Sequence, residues 1–177
     1  MKKRNFGEKY LAEIVYGGID GTITTFAVVA GALGASLSSA VIIILGFANL
    51  FADGFSMAAS NYLATKSQGE IDIKHKHKEY NKKSPRKTAL VTFFSFMIIG
   101  FIPLISYVLA PFSQIIESNK FTLAIILTGI SLLIVGSIKG KVVGKHFLKS
   151  AIETLIIGSI AASIAFIVGY YLKGLVG

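Results

Sequence analysis

Five long stretches of this chain are almost free of charge, and that constrains the fold more than any other feature. Thr88–Ile116, Phe121–Ile138 and Thr154–Leu172 contain no Asp, Glu, Lys, Arg or His. Ile14–Leu37 contains one such residue, Asp20, and Ser38–Ala64 also one, Asp53. A helix needs about 20 mostly apolar residues to cross the hydrocarbon core of a bilayer. The runs therefore predict five transmembrane helices, over about 12–35, 39–64, 88–110, 121–142 and 150–172, in one membrane domain spanning 1–177 with a basic loop at 65–87. Backbone groups in lipid must be satisfied internally, and the ten-residue alternation of barrel strands is absent, so the fold class is all-α.

Composition supports this. Charged residues make up 15% of the 177, against about 25% in a soluble domain. The lack of cysteine excludes disulfides, thiolate zinc sites and Cys-ligated iron–sulfur clusters. A net charge of +9 raises the possibility of nucleic acid, but sixteen of the 18 Lys and Arg fall in three segments at one end of the expected bundle. These segments are Lys2–Lys9, Lys66–Lys87 and Lys139–Lys149. By the positive-inside rule that end is cytoplasmic, which puts the N-terminus inside and the C-terminus outside. Bases scattered over three loops of a membrane protein do not form a nucleic-acid site; anionic lipid is the expected contact of the basic loop. No Walker A sequence, nucleophile elbow or Cys/His cluster suggests an enzyme. The first apolar run is too long for a signal peptide, and a prokaryotic plasma membrane is expected.

Finer local expectations follow. With no Trp, tyrosines must form the interfacial belt: Tyr10 and Tyr62 inside, Tyr107, Tyr170 and Tyr171 outside. The short Gly34–Ser39 connection makes helices 1 and 2 an antiparallel hairpin, with Gly34 as C-cap and Ser38 or Ser39 as N-cap. Gly136, Gly140 and Gly144 read as a packing series. Glu153 reads as a first-turn acid of the last helix.

Asp20 and Asp53 are the informative residues. A charge deep in the bilayer costs roughly 2.5–3.5 kcal/mol on insertion scales, and such residues tend to mark ion pathways or proton relays. Both lie roughly 15–20 Å inside the basic end, at about 1.5 Å per residue. They are equidistant from a turn centred between Ser36 and Leu37, so an antiparallel hairpin gives them one depth. On helix 2, Gly46, Asn49, Asp53, Ser56, Met57 and Ser60 recur at spacings of three and four, opposite an apolar face of Ile44, Phe51, Phe55 and Leu63. On helix 1, Gly17, Asp20, Gly21, Thr24, Val28 and Gly31 form a small, partly polar stripe, whose glycines allow close approach or a break around Asp20. Carboxylates, an amide oxygen and a thioether together suit a late first-row divalent ion such as Fe²⁺. Without metal, two adjacent carboxylates cannot both stay ionised, so metal entry would release a proton. The candidate site is thus Asp20, Asn49, Asp53 and Met57, with Thr24 and Ser56 as neutral oxygens. The loop adds Glu70, His75, His77 and Glu79, whose flanking lysines oppose cation binding.

The segments VYGGIDGTITTFAVVAGALG at Val15–Gly34 and LGFANLFADGFSMAASNYLATK at Leu45–Lys66 resemble the vacuolar iron transporter family. Gly100–Leu104 is similar to that family's Gly-x-Ile-Pro-Leu, and Thr154–Gly169 to its last helix. The resemblance implies five helices, a homodimer, and transport of Fe²⁺ or Mn²⁺ from the cytosol against protons, with no tightly bound cofactor. Asp20 and Met57 match the family's pathway residues. Two departures stand out. The glutamate of plant members falls at Asn49, with Asp53 one turn later as its substitute. The long glutamate-rich domain of those members is replaced by the short basic stretch Thr65–Lys87. The rival expectations are a lipid-binding scaffold without transport and a passive cation channel.

Overall fold

A computed structural model describes residues 6–74 and 83–176. Six helices run in chain order: α1 (Phe6–Gly34), α2 (Ser39–Lys74), α3 (Pro85–Gly100), α4 (Ile105–Leu109), α5 (Gln114–Val143) and α6 (Phe147–Val176). Five helical spans are long and apolar enough to cross a membrane, the third combining α3 and α4 over Pro85–Phe112. Their apolar outer faces, such as Ile44, Phe55 and Ile98, are more than half exposed, as a lipid-facing surface requires.

Helix ends extend beyond the lipid-crossing runs because hydropathy detects the bilayer stretch, whereas the backbone keeps its hydrogen bonds into the headgroup region. The largest difference is at α2, which continues to Lys74, so the stretch expected as loop from 65 is helical as far as 74. Two i,i+4 pairs support this extension: Gln68 Nε2 donates to Asp72 Oδ1 at 2.8 Å, and Lys66 lies 3.9 Å from Glu70. In the other direction, the third span is not one helix. It breaks into 3₁₀ turns at Ile102–Leu104 and Ala110–Phe112, around Pro103 and Pro111. Proline has no N–H for the α ladder and its ring crowds the preceding turn.

α1 is the central and most buried span, and it packs most heavily on α3 and α6. Its glycines make this possible. A Cβ on Gly17 would lie 2.7 Å from the Thr92 carbonyl oxygen, and one on Gly21 2.6 Å from that of Phe96. Gly100 faces Gly21 in return, and a Cβ on it would lie 2.8 Å from the Gly21 carbonyl carbon. Of the two expectations for this stripe, close approach holds; the one non-helical residue inside α1 is Tyr10, far from Asp20. Gly46, grouped by spacing with the polar stripe, is instead a packing position, where a Cβ would meet the Leu104 side chain at 2.6 Å. α3 packs more heavily on α1 and α2 than those two pack on each other.

The α1–α2 turn is closed differently from the expectation. Ser36, at φ 59°, is the left-handed residue. Its N–H donates to Leu33 O at 2.8 Å, and that of Leu37 to Ala32 O at 2.9 Å, a Schellman pattern. Gly34 is buried against α6 at Phe166. Ser38 is the N-cap of α2, accepting from Val41 N at 3.4 Å. At the α5–α6 turn, Gly144 adopts φ 73° and closes the same pattern, while Gly136 and Gly140 pack on Ala151, Ser150 and Phe147. Glu153 lies beyond the first turn of α6, 4.0 Å from Lys139. Tyr10 and Tyr107 are buried in the core; Tyr170 and Tyr171 are exposed and fit an outer belt.

Gly21→Val should lower the thermal unfolding midpoint in detergent by several degrees, since overpacking costs about 1–3 kcal/mol. Gly7→Ala, with nothing within 4 Å of its Cβ, should leave the midpoint unchanged.

Candidate functional site

Asp20 sits at mid-span on α1 beside the Gly21–Gly100 crossing, and it is partly buried. One turn on, Thr24 Oγ1 donates to the Asp20 carbonyl at 2.8 Å. From α2, Asn49 Nδ2 donates to Thr24 Oγ1 and Thr25 Oγ1, both at 3.4 Å. This bond fixes the register of the hairpin. Thr24 and Asn49 are equidistant from the turn centre, and so are Asp20 and Asp53. The two acids therefore occupy one depth.

The polar stripe of α2 is open. Asp53, Ser56 and Ser60 are exposed on the surface of the chain, beside a buried stripe of Ile42, Leu50, Gly54 and Ala58. Asn49 is half-buried by its contact with α1. Donation through Nδ2 leaves Oδ1 as the atom with lone pairs for a cation. Met57 is partly buried and packs against the core cluster of Leu50, Phe96 and Leu104, one turn from Asp53. Glu70 stands apart, about 25 Å along α2 from Asp53 at 1.5 Å per residue. His75, His77 and Glu79 lie outside the described residues. Among the described residues, no group of three or more His, Cys, Asp or Glu gathers around one point. The chain thus offers two carboxylates and neutral donors at the candidate site.

Sequence reasoning missed Glu13. It lies two turns before Asp20 on the same face of α1, and its side chain is 9% exposed. Lys83, just before α3, donates to Glu13 Oε1 at 2.8 Å and Oε2 at 3.1 Å. The same ammonium lies 5.9 Å from the centre of the Tyr10 ring. The seven-residue spacing from Asp20 was a visible signal; the partner, seventy positions away in sequence, was not. Asn61 was also missed: it extends the α2 polar face and donates to Thr92 Oγ1 at 2.7 Å. Buried hydroxyls join α1 to α5 as well, Thr22 Oγ1 lying 3.4 Å from Ser131 Oγ.

The fold and this seam define a class: a multi-pass helical membrane protein with a polar, carboxylate-bearing strip between its first two spans. The sequence pattern of the VIT family matches residues 11–83 and 70–170, and the chain belongs to that family. Among its relatives, a protein of Toxoplasma gondii named vacuolar iron transporter is 27% identical over 98% of this chain and 78% of its own length. A Plasmodium berghei protein of the same name is 28% identical over 93% and 82%. Vacuolar iron transporter 1 of Arabidopsis thaliana is 27% identical over 87% and 82%. The Toxoplasma alignment runs over 234 positions, more than the 177 residues of this chain, so that relative carries residues this chain lacks. The two stretches of the family match overlap at 70–83, from the C-terminal end of α2 to just before α3.

Removing one member of the buried Glu13–Lys83 pair should destabilise unequally. Lys83→Met leaves a carboxylate without its partner and should lower the unfolding midpoint more than Glu13→Gln does. The double variant should recover part of the loss, which a double-mutant cycle of midpoints would read as coupling.

Proposed function

We propose that this chain moves divalent transition metal ions, Fe²⁺ and Mn²⁺, out of the cytosol in exchange for protons. The observation that carries this reading is the matched depth of Asp20 and Asp53 across a seam held by Asn49 and Thr24. In a low-dielectric seam two neighbouring carboxylates resist joint ionisation, and a divalent cation relieves that repulsion. Arrival of the metal then displaces protons, and return of protons expels the metal. Carboxylate, amide and hydroxyl oxygens hold the ion, and the Met57 thioether biases the set toward a borderline-soft metal over Mg²⁺ or Ca²⁺. The names of the relatives supply the metal class.

The open stripe of α2 also argues for a homodimer. A carboxylate facing hydrocarbon at mid-span is costly, and a second copy laid on the same face covers Asp53, Ser56 and Ser60. It also doubles the donors around a shared central route. The basic end of the bundle faces the cytoplasm, so the route ends at the α1–α2 turn, outside. Export across a plasma membrane and loading of a vacuole are the same direction of movement, away from the cytosol.

Proteoliposomes with an imposed pH gradient test the activity. Metal uptake should follow the gradient, and Asp20→Asn should reduce its initial rate at least tenfold. Uptake indifferent to the gradient would indicate a passive channel, and no uptake would leave a scaffold. If Asp53 substitutes for a carboxylate at position 49, Asp53→Asn should be at least as damaging as Asn49→Ala. The converse order would remove Asp53 from the site.

The native chain has no cysteine, so engineered thiols report the interface cleanly. Ser60→Cys in membranes should cross-link to a dimer on oxidation. Phe55→Cys, on the opposite apolar face, should not.

A further inference from the structure

The turn between α5 and α6 carries a feature the transport reading does not use. A cavity of about 630 Å³ opens there, and its polar lining is Lys141, Lys145, His146 and Ser137. No acidic side chain lines it. The acid of this region, Glu153, stands beside Lys139 instead. Among the described residues, neither Lys141 nor Lys145 has an ion-pair partner. Both lysines are exposed. The turn itself is well closed: Gly144 takes the left-handed conformation, and Lys145 N donates to Gly140 O at 2.9 Å. The closed turn therefore presents two exposed ammonium groups at one opening. The first N–H groups of α6 point to the same end, adding partial positive charge.

The rest of the lining is apolar. Ile138 and Phe147 form its walls. They continue into Val142, Val143 and Leu148, each about half exposed on the flank of the bundle. This places the cavity at a boundary, with cationic groups at the water side and a greasy wall running toward the membrane core. A small anion would satisfy the lysines and leave the wall uncovered. A neutral lipid would cover the wall and leave the lysines unmatched. An anionic phospholipid satisfies both, with its phosphate between Lys141 and Lys145 and its acyl chain along Ile138 and Phe147. The site also lies at the basic end of the bundle, where the phosphates of that leaflet are found. Basic pockets between transmembrane helices on this side are a recurrent headgroup-binding arrangement.

We propose that the α5–α6 turn is a specific binding site for the headgroup of an anionic phospholipid. The site is independent of the metal route and stands or falls without it.

The test uses the full chain purified in detergent, with thermal unfolding as the readout. Dioctanoyl-phosphatidylglycerol, dioctanoyl-phosphatidylcholine and inorganic phosphate are titrated separately. Phosphatidylglycerol should raise the unfolding midpoint saturably, and the effect should weaken with salt. The Lys141→Gln, Lys145→Gln double variant should bind it about tenfold more weakly. Lys141→Arg, Lys145→Arg should retain binding, which separates loss of charge from loss of folding. Equal binding by wild type and the glutamine variant would overturn the proposal. So would equal stabilisation by phosphatidylcholine, which would mean an apolar groove only, or by inorganic phosphate, which would mean a free-anion site. A comparable loss from Arg86→Gln, Lys87→Gln would show diffuse attraction to the basic end and would also overturn it.

Discussion

The structure depends on how close the backbone of α1 comes to its neighbours. Between helices in lipid there is no hydrophobic drive to associate, because the surrounding tails are as apolar as the side chains. Association must come from dense van der Waals contact and from polar bonds. Here Gly17 and Gly21 let α1 touch the α3 backbone, and Gly100 returns the contact from the other side. A Cβ at any of the three would sit closer than 3.0 Å to backbone atoms. The crossing therefore has almost no freedom to slide. Asp20 is the residue next to Gly21, so the packing contact also sets the depth of the carboxylate.

The second coordinate comes from the turn. Ser36 and the Schellman bonds reverse the chain within a few residues, which leaves α2 one register against α1. Asn49 reaching Thr24 is the visible consequence, and the shared depth of Asp53 and Asp20 follows from the same register. α3 then takes the groove on the far side of both helices, with Leu104 filling the space left by Gly46. The Gly-x-Ile-Pro-Leu segment thus clamps α1 through its glycine and α2 through its leucine. The proline between them breaks the helix where the span must shift from one neighbour to the other. With α3 on one side, the polar seam can open only on the other, and this is why Asp53, Ser56 and Ser60 reach the surface of the chain.

Which parts of this were legible follows from how local each signal is. The five spans were legible because each is a run of apolar residues, and the matched depth of the acids because it needs only a short turn and the helical rise. Helix ends were not, since α2 continues past 64 through pairs such as Gln68–Asp72 that hydropathy ignores. Tyr107 was placed at an interface by type, and the fold buries it because α4 turns inward after the Pro103 break. Gly34 looked like a cap, but close contact with α6 claims it and passes the left-handed position to Ser36. Glu13 escaped notice because its partner Lys83 arrives from the far end of the α2–α3 linker.

The ends of the bundle carry a further electrostatic consequence. Lys173 bonds to Ser36 at the α1–α2 end, where the Lys120–Glu117 pair also lies. The other end collects Lys83, Arg86, Lys87 and the four lysines at 139–149. A divalent cation approaching that end would meet a positive rim, which opposes long-range attraction. The acids on that side offset the rim only in part, where Glu13 pairs with Lys83, Glu70 with Lys66 and Glu153 with Lys139. An anionic headgroup seated between Lys141 and Lys145 would cancel part of the rim's charge. Lipid binding at α5–α6 and cation entry beside α1 would then be coupled through the field alone, with no movement of either helix.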